Sequence, residues 1–402
     1  MFQTLRNNTK IIVIIVVVAF IITSAFVGFG GMFGGSSANP QSGGTSNSIA
    51  RVNGEDITQR EFMNVLRSQA SQTSNLSSSQ LIDFRLRVLN FIIERKLLLQ
   101  NAAEQGIEVE ITDKDVQNEI DNILKQYQMS QSDLESNLKK QGYSLDEFKQ
   151  QLKTDLREQE KIKKTREQTY EQVKVTEEEI KQRYEKNNKD KKASGKEYEK
   201  AKPEIKKKLL EEQQSQAFNS WLENKKAQAE ITIFDPVLSS AKAFDSQNYE
   251  EAISGFTNLI KGDDSSPGAG VYIYLARAYQ QKGDTEKAIE TYEKAIKAYP
   301  NNWETHLNLG DIYQSKEKKD KAIKQYDKAA ELVGNNYMAH VQLYRSYNKV
   351  GAKEKAQKEM DAIKKIQQDM MKQQQQLQQK QQDQSQNKDD SNSQSTTDSE
   401  NK

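Results

Sequence analysis

His306 and His340 stand 34 residues apart and are the chain's two histidines. A pair of imidazoles could hold a metal or move a proton, but either role needs further ligands or a reacting partner. No Cys, Asp or Glu cluster with ligand spacing surrounds them, and their equivalent positions in a repeating pattern fit helix packing equally well. The chain has no cysteine, which excludes disulfides, thiolate metal sites, cysteine catalysis and lipid attachment through cysteine. Glu177-Glu178-Glu179 could supply a catalytic carboxylate pair, yet three acids at a helix start also complement the helix dipole. No Gly-rich phosphate loop occurs; Gly28–Gly35 lies in or beside an apolar run. The chemistry legible here is therefore binding, not catalysis, with no cofactor and no metal expected.

The elements that would position a binding surface are helices. Lys+Arg 59 against Asp+Glu 58 leaves a net charge of +1, so no global field attracts nucleic acid. A charged content of 29% with 8% aromatics suits exposed helices more than one thick core, and the length fits two or three domains. Ile49–Val52 and Glu55–Ile57 flank Asn53-Gly54, which can supply the two positive-φ residues of a tight hairpin. A hairpin that short needs a further strand, and Ile231–Phe234 is the candidate. Thr58/Glu61, Ser144/Glu147 and Thr176/Glu179 read as capping boxes, and Thr112 with Asp115 starts another helix. Ser71–Gln80 reads as a polar loop, and Leu81–Glu104 as a helix stopped by Gly106.

Ahead of these, Arg6 and Lys10 precede the apolar run Ile11–Val27, which the uncharged residues to Phe33 can lengthen into a bilayer span. No charge follows Lys10 until Arg51, so the positive-inside rule leaves the N-terminus cytoplasmic and the bulk outside. A cleaved signal peptide ending near Ser36-Ser37-Ala38 is the rival reading. Residues 34–48 read as a flexible linker, and 367–402, rich in Gln, Ser, Asn and Asp, as a disordered tail. The five prolines (Pro40, Pro203, Pro236, Pro267, Pro300) fall at the boundaries so inferred, Pro203 at the start of a closing helix.

Val52-Asn-Gly-Glu-x-Ile-Thr-x-x-Glu-Phe62 resembles the opening of the SurA/PpiD/PrsA group of extracytoplasmic chaperones. The resemblance continues through Leu89–Val109, Val175–Tyr184 and the closing helix Ile205–Ile233, and spans roughly residues 49–234. It implies a helical module that shields unfolded, newly exported proteins. A parvulin prolyl-isomerase domain often interrupts that module, but here only Asn188–Lys196 stands in its place, too short for a domain. The resemblance therefore implies a chaperone part without isomerase activity. Trp221 could be a client-facing anchor or core. Lys186–Lys208 could touch anionic headgroups, at about 1 kcal/mol per charge, or be a solvated linker.

Tyr279, Tyr313 and Tyr347 recur every 34 residues, as do Leu275, Leu309 and Leu343, and Ala288, Ala322 and Ala356. That period, and the run Tyr272…Leu275-Ala276…Tyr279…Gly283…Ala288…Tyr292…Ala295…Pro300, resembles the tetratricopeptide repeat. Two good repeats flanked by two imperfect ones fill residues 235–366. The resemblance implies a concave groove made by each repeat's first helix, including Ile273, Arg277, Gln280, Leu307, Asp311, Gln314, Met338, Val341, Arg345 and Asn348. The expected protein is mostly α: a transmembrane anchor over 1–33, a chaperone module closed by a small sheet, a repeat solenoid and a tail. Its partners would be unfolded exported proteins, the secretion translocon or an envelope complex. The alternative is a scaffold whose repeats assemble an envelope complex.

Overall fold

The computed structural model describes residues 48–69, 73, 75–127, 129–140, 142–188, 192–262 and 267–394, with side chains described as far as Gln376. The anchor region expected over 1–33 and the linker expected over 34–48 lie outside the described residues except for Ser48, which begins a strand. No helix among the described residues is long and apolar enough to cross a membrane.

The chain divides into two compact units. The first comprises residues up to Ser74 together with Asp83–Ser239; the second comprises Asn75–Ile82 and Ser240–Lys402. Residues 75–82, expected in the front module, thus group with the repeats.

In the first unit, β1 (Ser48–Val52) and β2 (Glu55–Thr58) form the expected hairpin, with Asn53 and Gly54 both at positive φ. β3 (Ile231–Ile233) adds antiparallel to the free side of β1, giving the order β2-β1-β3. Ala50, Val52 and Ile57 are fully buried, while Arg51 between them is exposed, the alternation of a sheet with one apolar face. Asn53 fastens the corner: its N–H donates to the Glu230 carbonyl, its Oδ1 accepts from Glu230 N–H, and its Nδ2 donates to Gln100. The two ends of the unit are thus hydrogen-bonded to each other along β1–β3 and again at Asn53.

Helices α1 (Gln59–Ser68), α2 (Ser78–Glu104), α3 (Asp113–Tyr127), α4 (Gln131–Lys140), α5 (Leu145–Gln168), α6 (Glu177–Asn187) and α7 (Gly195–Gln228) lie between the hairpin and β3. Ser144/Glu147 and Thr176/Glu179 form reciprocal capping boxes, and Thr58 accepts from Glu61 N–H. The bonds from Ser144 and Thr176, backbone first, hold the Glu147 and Glu179 carboxyls below the usual range. Ser130 with Asp133 caps α4, a start the sequence reading passed over.

Three corrections concern helix extent. α2 begins at Ser78, not Leu81, because Ser77 and Gln80 make their own reciprocal cap. The closing helix begins at Gly195 and not near Pro203, so residues 195–202, weighed as part of a solvated linker, belong to α7. Pro203 lies inside that helix, where Tyr198 packs edge-to-face on Tyr184 of α6 at 5.3 Å and holds the turn before it. The final helix runs through Gln394, deep into the 367–402 segment read as a disordered tail; the glutamine-rich stretch consists of good helix formers, and no Gly or Pro interrupts it.

The first unit's interior is divided. One cluster joins α3, α4 and α5 through Ile120, Ile123, Leu134, Leu138, Phe148 and Leu152; another joins α6 and α7 through Ile180, Tyr184, Tyr198 and Leu209. A third seam sets Leu98 of α2 against Phe218 and Leu222 of α7, with Trp221 half-buried and stacked on Phe218. Trp221 is a packing residue.

In the second unit the helices pair as α8 (Pro236–Asp245) with α9 (Tyr249–Lys261), α10 (Ala269–Gln281) with α11 (Thr285–Ala298), α12 (Trp303–Ser315) with α13 (Lys319–Leu332), and α14 (Tyr337–Val350) with α15 (Lys353–Gln394). α8 enters this unit from Ser240 onward. Gly310 shows why the pattern wants a small residue there: a Cβ would stand 2.4 Å from the Tyr326 ring.

Replacing Asn53 by Ala removes two side-chain hydrogen bonds and the residue type that tolerates positive φ, and should cost the first unit about 1–3 kcal/mol. Trp221 belongs to this unit and Trp303 to the other, so denaturant unfolding of Asn53→Ala in a Trp303→Phe background, followed by Trp221 emission, reads it directly. An unchanged midpoint would mean that β3 does not close the unit.

Candidate functional site

The groove residues expected from the repeats lie on α10, α12 and α14, the first helix of each pair. Ile273 and Leu307 are buried in the solenoid's own clusters, Ile273 with Ala276, Tyr292, Leu309 and Ile312. Asp311 accepts from Tyr326 Oη at 2.8 Å and Ser346 Oγ at 3.1 Å, so it ties three helices together. Burial pushes the Tyr292 and Tyr326 hydroxyls well above the ordinary tyrosine range, with Asp311 adding to the effect at Tyr326. Both are therefore fixed neutral donors. Gln280, Met338, Arg345 and Asn348 are exposed, and Gln314 and Val341 are half-buried.

Arg277 points to what the sequence reading missed. Its guanidinium donates to Glu304 Oε1 at 3.3 Å, and Glu304 is only 4% exposed. Glu304 begins α12, 34 residues after Gly270 and 34 before Met338. Its carboxylate accepts the Ser79 backbone N–H at 3.0 Å and also the Ser79 hydroxyl. Asn302 and Asn336, again one period apart, are matched devices. Each Oδ1 caps its own helix by accepting a backbone N–H at 3.0 Å, from Thr305 and Ala339 respectively. Each Nδ2 then reaches the 75–78 segment: Asn302 donates to Ser78 Oγ at 2.7 Å and Asn336 to the Asn75 carbonyl at 3.1 Å. Their repeat spacing was visible in the sequence; the segment that they hold was not.

The histidines resolve as packing residues. His306 faces Gln325 Oε1 and the Pro300 carbonyl, and His340 faces Glu359 Oε2 and the Gly334 carbonyl. Both rings bridge the two helices of a pair, and no group of residues that could hold a metal occurs among the described residues.

The first unit carries a cleft of about 650 Å³ between the hairpin turn, α2 and the end of α7, lined by Asn53, Glu55, Gln100, Asn101, Glu104 and Lys225. Beyond it, Arg95 pairs with Glu158. Burial pushes the neighbouring Asp155 carboxyl up to about 6, against the opposing effects of the Gln151 bond and Arg95.

Residues 1–162 match the family described as the SurA-like N-terminal domain. Residues 276–317 match the TPR repeat and residues 304–335 the tetratricopeptide repeat. The chain carries a SurA-like N-terminal domain followed by tetratricopeptide repeats. No curated protein matches it. Among solved structures it is similar to "Crystal structure of MamA" at 22% identity, covering 33% of this chain and 77% of that one, with a TM-score of 0.29. "MamA AMB-1 P212121" matches at 20% identity over 32% of this chain and 69% of that one, with a TM-score of 0.26.

Because the folded state raises the Asp155 carboxyl above the ordinary value of about 3.9, it holds that proton more tightly than the unfolded chain does. Stability should therefore fall as pH rises from about 4 to 6, and the whole penalty persists above that window. Asp155→Asn should raise the denaturation midpoint at pH 7.5 by about 1 kcal/mol's worth, and the gain should vanish near pH 4. A gain that is independent of pH would refute the assignment.

Proposed function

We propose that this protein is a membrane-anchored extracytoplasmic chaperone that holds unfolded, newly exported chains and recruits a partner through its repeats. The carrying observation is the SurA-like N-terminal domain joined to tetratricopeptide repeats, two types of module that act on other polypeptides and not on small substrates. The divided interior of the first unit supports holding. Several small clusters on long helices leave apolar and polar surface side by side, as at the exposed Phe91, Tyr127 and Phe234. Holding of this kind sets binding to apolar segments against their self-association and needs no nucleotide. The anchor reading rests on Arg6, Lys10 and the apolar run 11–33. The reading of no isomerase activity rests on the short interval 188–194 between α6 and α7.

The scaffold reading draws support from the repeats alone, whose polar and apolar groove residues suit a folded partner's peptide.

In lipid nanodiscs the full chain should suppress aggregation of a proline-limited refolding client at near-stoichiometric ratio, without accelerating its slow phase. Uncatalysed X–Pro isomerisation takes tens of seconds or more, so catalysis would be easily seen. A faster slow phase would overturn the non-enzyme reading, and unchanged aggregation would favour the scaffold. Protease added to expressing cells stripped of their wall should degrade the bulk of the chain; full protection would defeat the proposed topology.

A further inference from the structure

The second unit contains a segment from far upstream, and its contacts define a ligand chemistry. Residues 75–77 are non-helical, and Ser78–Ile82 are the opening of α2. Ser77 and Gln80 cap that start between themselves, leaving the Ser79 N–H to an outside acceptor. Glu304 is that acceptor. A buried carboxylate at the positive end of a helix, with Arg277 beside it, gains both a charge-assisted hydrogen bond and the dipole interaction. Gly270, one period before Glu304, gives the segment room: a Cβ there would lie 2.5 Å from the Ser78 carbonyl oxygen and 2.9 Å from the Ile82 side chain. Asn302 and Asn336 add one donor each from successive repeats. Ser77 and Ser79 are almost fully buried. At the third equivalent position Met338 is 55% exposed, so the segment touches this repeat through Asn336 and leaves Met338 uncovered.

We infer that the groove of the repeat unit is a receptor for a hydroxyl-rich polypeptide segment that begins a helix. Residues 75–82 are its resident ligand, and a partner of the same chemistry must displace them to bind. The carboxylate of Glu304 selects a free helix-start N–H with an adjacent hydroxyl, Gly270 demands close backbone approach, and the two asparagines read the first helical hydroxyl, Ser78, and the Asn75 carbonyl three residues before it. This rests on the reading of the repeats as a partner-binding surface and adds its regulation: the groove is closed until the chain's own segment leaves.

The test uses the full chain and a fluorescent peptide spanning residues 73–84. Ser79→Pro removes both donors to Glu304 at a first-turn position where no intrahelical N–H bond is lost. The peptide should bind this variant about tenfold or more tightly than wild type, and adding Glu304→Ala should abolish the gain. Equal binding to wild type and Ser79→Pro, or a gain that survives Glu304→Ala, would overturn the inference. Should Ser79→Pro misfold, hydrogen exchange on Glu304→Gln gives a second reading. The Ser79 amide should exchange about tenfold faster or more, and an unchanged rate would again overturn it. Client aggregation is not measured in either assay, so failure of the holding activity would be seen separately.

Discussion

The central strand β1 can satisfy its backbone only by bringing together parts of the chain that are far apart in sequence. β2 covers one of its edges locally, through a two-residue turn, whereas the other edge takes β3 from beyond seven helices. An uncovered strand edge is costly and invites association. Every helix between the hairpin and β3 must therefore be arranged so that α7 returns Glu230 to Asn53. The unit is closed at one corner and loosely partitioned elsewhere, which lets helical lobes keep small separate cores without coming apart.

That partition bears on function. Under the proposed holding function the protein needs apolar surface that does not collapse onto itself, and short clusters on long charged helices would supply it. Exposed caps and ion pairs such as Lys153–Asp113 and Arg183–Glu212 contribute little each. Their role is to keep the intervening surfaces soluble. Desolvation of Asp155 next to the Arg95–Glu158 pair is a cost borne within this arrangement.

The repeat unit follows a different constraint. A 34-residue period fixes which residues of successive helices share a level, and so it repeats a chemical device at equal spacing. Asn302 and Asn336 each cap a helix with one end of the amide and hold the 75–78 segment with the other. Gly270, Glu304 and Met338 occupy equivalent positions of successive repeats, and the selectivity proposed for the groove would rest on that variation over a fixed frame. The buried Glu304 carboxylate is tolerable only because Arg277 and the Ser79 donors satisfy it.

The sequence by itself determined the local structure. Asn53-Gly54 encodes the turn, Ser144/Glu147 and Thr176/Glu179 encode helix starts, and the 34-residue recurrence of Leu, Ala and Tyr encodes the solenoid, because each depends on contacts within a few residues or on a strict period. The pairing of Ile231–Ile233 with the hairpin was also legible, since an isolated edge demands a partner. What only the tertiary structure decided is where non-local polar groups meet. Nothing in Ser77-Ser78-Ser79 distinguishes a solvated loop from a buried ligand, and nothing in Glu304 distinguishes a surface acid from a helix cap supplied across 225 residues of chain. The same limit explains the missed starts at Ser78 and Gly195. A Ser-x-x-Gln cap and a proline eight residues into a helix are weak local signals, and they become firm only when burial and packing supply the remaining free energy.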